Sequence, residues 1–528
     1  MIINERELAN AAAALADKRV PLTAPERHLI SRRVTISATT LRKLRTEIRA
    51  GGDPLGDAFC RVRSAEERRG QGATYTPTAI VRAMLSWAAG EATRPKRVID
   101  VGAGSGRFII EAARTFLKAD LVAVESDPLA ALLLRANANV LGFTKRLSLE
   151  VRDYRDFTLP RINGSTLFIG NPPYVRHHAI PTEWKAWFSS AGRSLGFAAS
   201  ELAGLHVHFF LRTRQLAQTG DFGVFITAAE WLDVNYGSVV RKMLADGLGG
   251  TAVHVIDPRA EPFPGTLATG AITCFRVGNR PERLTIRSVR SLEKLNSLSA
   301  GKSVNWSEAE KSSRWSTLIR QAPRPRSGEI ELGELFRVHR GQVTGCNRVW
   351  IAGDMATELP RRFLRPTITK ARELIAAGDV LSSATNLKRV VDLPVNLGEL
   401  RDDEREAVAR FLAWAKKMEA DESYVAKHRR SWWAVQLRAP APILCTYMAR
   451  RAPAFVRNFA GARHVNIAHG LYPIEPLSDE LLMAITRHLN ATASVSSGRV
   501  YAGGLIKFEP GEVSRLHVPD LSMLSAAP

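Results

Sequence analysis

Three glycines at alternate positions constrain this chain more than any other feature. In Val98-Ile99-Asp100-Val101-Gly102-Ala103-Gly104-Ser105-Gly106-Arg107-Phe108, an apolar run of strand length passes into Gly102, Gly104 and Gly106 and then into a helix-patterned segment. Glycine permits the tight turn and lets a ligand approach the backbone at the end of a strand, as in nucleotide-binding α/β folds. The spacing is G-x-G-x-G, and Arg107 stands where the dinucleotide fingerprint has its last glycine. The flanking pattern agrees with a doubly wound sheet. Short apolar runs predict strands at Val98–Val101, Leu121–Val124, Leu147–Val151, Leu167–Ile169, Gly223–Ile226, Ala252–Ile256 and Gly270–Val277. Helical periodicity predicts helices at Arg107–Lys118, Leu129–Leu141, Leu202–Ala217 and Val239–Leu244, and the alternation of the two predicts parallel strands.

Acids recur at the ends of the predicted strands. Asp100 sits where an ammonium group can be held, Glu125 where a ribose diol can be hydrogen-bonded, and Asp153 follows the third strand. Ligands of such sheets bind outside the carboxyl ends of the strands, so these three acids are expected to line one crevice around an adenosyl ligand.

A fourth strand delivers Gly170-Asn171-Pro172-Pro173-Tyr174 into that crevice. The exocyclic nitrogen of adenine is a poor nucleophile because its lone pair is delocalised into the ring. The side-chain carbonyl of Asn171 and the backbone carbonyl of Pro172 can both accept from that NH₂ and localise the lone pair toward a methyl donor. Pro172 and Pro173 stiffen the backbone so that the acceptors are preorganised. Tyr174 offers an aromatic face to a base taken out of the helix, a step that chemistry on a base edge inside duplex DNA requires.

In this order, cofactor loop and then Asn-Pro-Pro-Tyr, the sequence resembles the amino-group DNA methyltransferases, specifically the N6-adenine methylases of restriction-modification systems. The resemblance implies a Rossmann-like α/β catalytic domain that uses S-adenosyl-L-methionine, followed by an α+β target recognition domain. It places Tyr75, Thr76 and Pro77 on the methionine part of the cofactor. Asp100, Gly102, Gly104 and Gly106 match the main cofactor loop, Glu125 the ribose acid, and Asp153 the residue that reads the cofactor adenine. Phe263, in Glu261-Pro262-Phe263-Pro264, matches the second aromatic that packs on the flipped base beside Tyr174. Arg340-Gly341-Gln342-Val343-Thr344-Gly345-Cys346-Asn347 and Tyr501-Ala502-Gly503-Gly504-Leu505-Ile506-Lys507-Phe508-Glu509-Pro510 resemble strings near the start and end of such recognition domains.

These signals divide the chain into an N-terminal helical region (1–70), a catalytic domain (71–277), a polar linker (278–328) and a recognition domain (329–528). Lys and Arg total 74 against 52 Asp and Glu, a net charge of +22 that suits a nucleic-acid partner. Double-stranded DNA is the expected partner, with a separate restriction endonuclease as a possible second one. The first 70 residues hold no acid, acid and lysine set of the kind a metal-dependent nuclease uses, so the expectation is a methylase alone. Four scattered cysteines, a first helix without signal-peptide character and no long apolar span predict a cytoplasmic protein with no membrane segment. His206 and His208 are two apart on a helix, His177 and His178 follow the catalytic loop, and no Cys/His set has zinc spacing, so no metal is expected. Two alternatives remain open: a cofactor-sensing DNA-binding component of a defence assembly, and an RNA or protein-glutamine methyltransferase.

Overall fold

The computed structural model describes the whole chain except residues 1, 3, 32, 65–66, 68–75, 258–259, 261, 263–268, 296, 313, 320–327, 502–504 and 521–528. It divides into two compact units, the first spanning Met1–Arg320 and the second beginning at Gln321.

The first unit is built on strands β1 (Arg97–Val101), β2 (Asp120–Glu125), β3 (Leu147–Val151), β4 (Thr166–Gly170), β5 (Phe222–Ala228), β6 (Gly250–Ile256), β7 (Gly270–Arg276), β8 (Arg283–Val289) and β9 (Lys302–Asn305). They form one sheet in the order β3-β2-β1-β4-β5-β7-β6-β8-β9. β1 to β5 are mutually parallel. β7 runs antiparallel to both neighbours and β9 antiparallel to β8, while β6 and β8 are parallel, so the sheet is mixed and the fully parallel expectation fails at β7 and β9. β1 and β4 are buried at every position, as strands covered on both faces must be. Their alternate residues feed two apolar cores: Ile99, Val101 and Phe168 join one with Phe210, Phe225 and Trp231, while Val98, Leu167 and Ile169 join the other with Met84, Phe108 and Leu134. The strand order reverses between β1 and β4, which opens a crevice at their carboxyl ends.

Two predicted boundaries move. The N-terminal helices Glu5–Leu15, Ala38–Arg49 and Pro54–Val62 are not a region apart. Leu8, Leu15, Leu44, Ile48, Leu55 and Phe59 pack onto Leu129, Leu132 and Leu133 of helix Pro128–Leu141, inside the catalytic unit. The expected linker from 278 is also part of that unit, because β8 pairs with β6 and β9 with β8. Beyond β9, Trp315 is buried with its ring centroid 5.8 Å from Trp231 and 5.5 Å from Trp306. β8 reads Arg-Leu-Thr-Ile-Arg-Ser-Val, with Leu284, Ile286 and Val289 buried and the polar residues turned outward. A half-buried strand of that kind has the composition of a linker, and only the alternation around Leu284 and Ile286 betrays it.

The second unit is α+β. A five-stranded sheet contains strands Phe336–Arg340, Val380–Leu381, Ile443–Thr446, Phe455–Asn458 and Ala468–Pro473. Strand Glu329–Glu331, near its start, pairs antiparallel with His517–Pro519, near its end.

Candidate active site

The carboxyl ends of β1, β2 and β4 surround a cavity of about 380 Å³. After β1 the chain turns through Gly102, Gly104 and Gly106, whose φ values are +74°, +57° and +97°. At Gly106 a Cβ would also lie 2.2 Å from Leu134 Cδ1, so the third glycine is needed both for the turn and for seating the loop on helix Pro128–Leu141. Glu125, at the end of β2, braces this loop. Its Oε2 accepts from Gly104 N at 2.7 Å and its Oε1 from Asp127 N at 2.8 Å. Burial raises its carboxyl pKa, against the pull of those backbone donors. A carboxylate has lone pairs beyond the two used here, and Glu125 borders the cavity, so it can still accept from a diol.

Of the other two acids, Asp153 shares the cavity with Glu125 and Asp100 does not. Asp153 borders the cavity, but both of its oxygens are engaged by Arg155, Oδ1 with Nε at 2.9 Å and Oδ2 with Nη2 at 2.6 Å. Burial opposes its ionisation, and the Arg155 guanidinium and backbone N–H outweigh burial, holding the carboxyl below its ordinary range. Arg155 is itself stacked 3.9 Å over the Trp184 ring. Asp100 is fully buried and does not border the cavity. Its Oδ2 accepts from Ile109 N at 3.1 Å, tying β1 to the first turn of helix Arg107–Thr115, while Oδ1 has no hydrogen-bond partner within the protein. Burial first, and then the charge of Glu125, push its pKa up to about 8. Its place is under the glycine loop.

β4 ends at Gly170, where φ is +149° and a Cβ would come within 2.7 Å of Val101 O. The Asn171–Tyr174 loop therefore leaves the sheet directly against the glycine loop, and Asn171 and Pro173 border the same cavity. Asn171 Nδ2 donates to Thr76 Oγ1 at 3.0 Å. Pro172 is buried. Tyr174 packs against the apolar core, edge-on to His206 with ring centroids 6.4 Å apart, and burial raises its phenol pKa strongly. Pro77 caps helix Thr78–Ala89, and Thr76 joins the cavity wall. Tyr75 and Phe263 lie outside the described residues.

Several cavity residues carried no sequence signal. Phe59 and Arg63 come from the N-terminal helices, Tyr154 follows β3, and Phe209, on helix Leu205–Leu216, stacks on Tyr154 at 5.0 Å. Asp127, which pairs with Arg63, could have been found: Asp127-Pro128 is a helix cap with proline in the first turn, placed just after the β2 acid. Burial lowers His206 to about 4 and His208 to about 3, so both are neutral, and His208 stacks on Phe188 at 4.2 Å as a core ring. Among the described residues no group of three or more His, Cys, Asp or Glu could hold a metal, and no helix is long and apolar enough to cross a membrane.

In the second unit the two strings singled out in the sequence meet. Arg340 lies 4.5 Å over the Tyr447 ring, Lys507 Nζ lies 5.3 Å from that ring, and Tyr447 Oη donates to Glu509 Oε1 at 3.1 Å.

A glycine loop on β1, a bracing acid on β2 and an Asn-Pro-Pro-Tyr loop on β4, all at the reversal of a mixed sheet, define an S-adenosylmethionine-dependent methyltransferase. Residues 158–256 match the family model of the Eco57I restriction-modification methylase, and residues 313–527 match that of the C-terminal domain of the type II methyltransferase M.Eco57I. The chain is 50% identical to type II methyltransferase M.XamI of Xanthomonas campestris pv. amaranthicola, over 99% of both chains. It is 22% identical to type II methyltransferase M.AccI of Acinetobacter calcoaceticus over 87% of each. Its fold resembles that of the type IIL restriction-modification enzyme MmeI, solved in complex with DNA, with a TM-score of 0.58 and 12% identity over 89% of this chain and 72% of that one. The chain belongs to the type II methyltransferases, the DNA methyltransferases of restriction-modification systems, and its methyl donor is S-adenosylmethionine.

Proposed function

We propose that this methyltransferase transfers the methyl group to the N6 amino group of adenine in double-stranded DNA. The observation that carries the reading is the loop Asn171–Tyr174, set by Gly170 against the glycine loop so that Asn171 and Pro173 border the same cavity as Glu125 and Asp153. In this reading S-adenosylmethionine supplies the methyl group; Glu125 accepts from its ribose and Asp153 faces its adenine. The Asn171 carbonyl and the Pro172 backbone carbonyl accept from the target NH₂, and Tyr174, with Phe263, stacks on the extruded base. Over 96 residues, 17% of this chain and 38% of the relative, the sequence is 31% identical to a tRNA1(Val) (adenine(37)-N6)-methyltransferase of Porphyromonas gingivalis. That similarity supports adenine amino chemistry. The second unit, whose relatives are type II methyltransferases, supports DNA as the substrate and a role for residues from about 329 to 520 in reading it.

Sequencing genomic DNA for modified bases, with and without the gene, tests the reading. N6-methyladenine at one short motif is expected only when the gene is present. Methylation of cytosine instead, or of RNA alone, would overturn it. In the complex, 2-aminopurine at the target position should brighten as the base leaves the stack, and persistent quenching would remove base flipping from the mechanism.

A further inference from the structure

A continuous run of hydrogen bonds joins the N-terminal helices to the amide of Asn171. Asp53 caps helix Pro54–Val62, accepting Gly56 N on Oδ1 at 2.9 Å. Its Oδ2 accepts from Ser105 Oγ at 2.7 Å, inside the glycine loop, and from Arg107 Nε at 2.8 Å. The same guanidinium donates through Nη2 to Asp57 Oδ1 at 3.0 Å and through Nη1 to the backbone carbonyl of Thr76 at 3.2 Å. Thr76 Oγ1 then receives Asn171 Nδ2 at 3.0 Å. Thr76 is 3% exposed and borders the cavity beside Asn171, so its hydroxyl is the acceptor the protein itself supplies there.

The two ends of an asparagine amide are nearly identical in shape and opposite in hydrogen-bonding sense. A half-turn about the last side-chain bond would present NH₂ where the carbonyl belongs, and a donor there repels the amino group it should activate. Holding Nδ2 on Thr76 turns Oδ1 to the opposite side. We propose that Thr76, fixed through Arg107 by Asp53, is a positioning residue that selects the productive orientation of the Asn171 amide. Helix Pro54–Val62 then supports the catalytic loop, and Arg107, at the end of the glycine loop, carries the connection. The inference rests on Asn171 being the amino acceptor.

The test uses the full chain, labelled S-adenosylmethionine and genomic DNA from a strain lacking the gene. With one buried hydrogen bond lost, Thr76→Val should lower kcat at saturating cofactor and DNA about tenfold, over and above any change in cofactor Kd from its place in the cavity wall. Thr76→Ser, which keeps the hydroxyl, should restore kcat. Arg107→Gln, which breaks the link to Asp53 and Thr76, should also lower kcat at saturating cofactor, and it decides the matter together with Thr76→Ser if the valine variant does not fold. A wild-type kcat in Thr76→Val, a loss that serine does not rescue, or a loss confined to cofactor Kd would overturn the proposal. Asn171→Ala separates the two layers. If it remains active, the acceptor assignment itself fails; if it is inactive while Thr76→Val is fully active, only the positioning role fails.

Discussion

In the first unit, strands close in sequence lie side by side: β1 with β2, β2 with β3, and β4 with β5. In the second, strand Phe336–Arg340 pairs with Ala468–Pro473, and Glu329–Glu331 pairs with His517–Pro519, across most of the unit's length. The catalytic sheet can therefore grow from local pieces, with helices Arg107–Thr115 and Pro128–Leu141 following β1 and β2. In the second sheet Ile443–Thr446 pairs locally with Phe455–Asn458, but the pairing of Phe336–Arg340 requires a long loop to close first. The contrast also separates duties. Under the proposed function, a site for one cofactor and one amino group needs a rigid strand-end crevice, whereas a surface that reads DNA can be assembled from distant segments.

The sharpest way to break this comparison is to separate the units. A chain ending at Arg320 should bind S-adenosylmethionine with unchanged affinity and lose site preference, which in specific DNA-binding proteins amounts to about 4–10 kcal/mol. Exchanging the second unit for that of a related methylase should carry the methylated motif with it. A hybrid that folds and methylates the original motif would place recognition in the first unit. The cut must follow Arg320, because a chain ending near Ser312 would lose Trp315.

Trp315→Ala tests directly whether the segment after 277 belongs to the catalytic unit. Removing a buried tryptophan that packs on Trp231 and Trp306 should cost about 3–5 kcal/mol of first-unit stability, read as a lower Tm. An unchanged Tm would return this segment to the status of a linker.

The next test concerns Asp100. Its pKa in the folded protein is near 8, above the ordinary value of 3.8, so it favours folding while protonated. That contribution is complete below about pH 4 and is lost as pH rises through 8. Asp100→Asn should therefore flatten the fall in stability of the cofactor-free protein between about pH 4 and 8. Calorimetry on the same variant asks whether Asp100 also holds the cofactor: unchanged affinity leaves it a brace for the glycine loop alone. Glu125→Ala, which borders the cavity, should weaken the cofactor by about 1–3 kcal/mol. An unchanged Kd there would remove the ribose assignment.

The cofactor loop, the strand-end acids and Asn171–Tyr174 were legible in the sequence because each is a local string whose chemistry depends on residues a few positions apart. So were most strands of the first sheet, since a fully buried strand is a continuous apolar run. What tertiary structure alone decided is which of those residues share a surface. Asp100 and Glu125 both stand near strand ends, yet one is buried beneath the loop and the other borders the cavity, a distinction that depends on how helix Arg107–Thr115 sits. Asp53, Phe59 and Arg63 reach the site from one helix more than 30 residues before the glycine loop; Asp53-Pro54 marks where that helix starts, but nothing local marks its approach to the cavity. β8 reads as polar linker because polar residues separate its apolar ones, and the core around Trp306 and Trp315 is what buries Leu284 and Ile286. Local strings encode backbone shape and chemical type through short-range sterics, whereas proximity across the chain is set by packing, to which residues far apart in sequence contribute together.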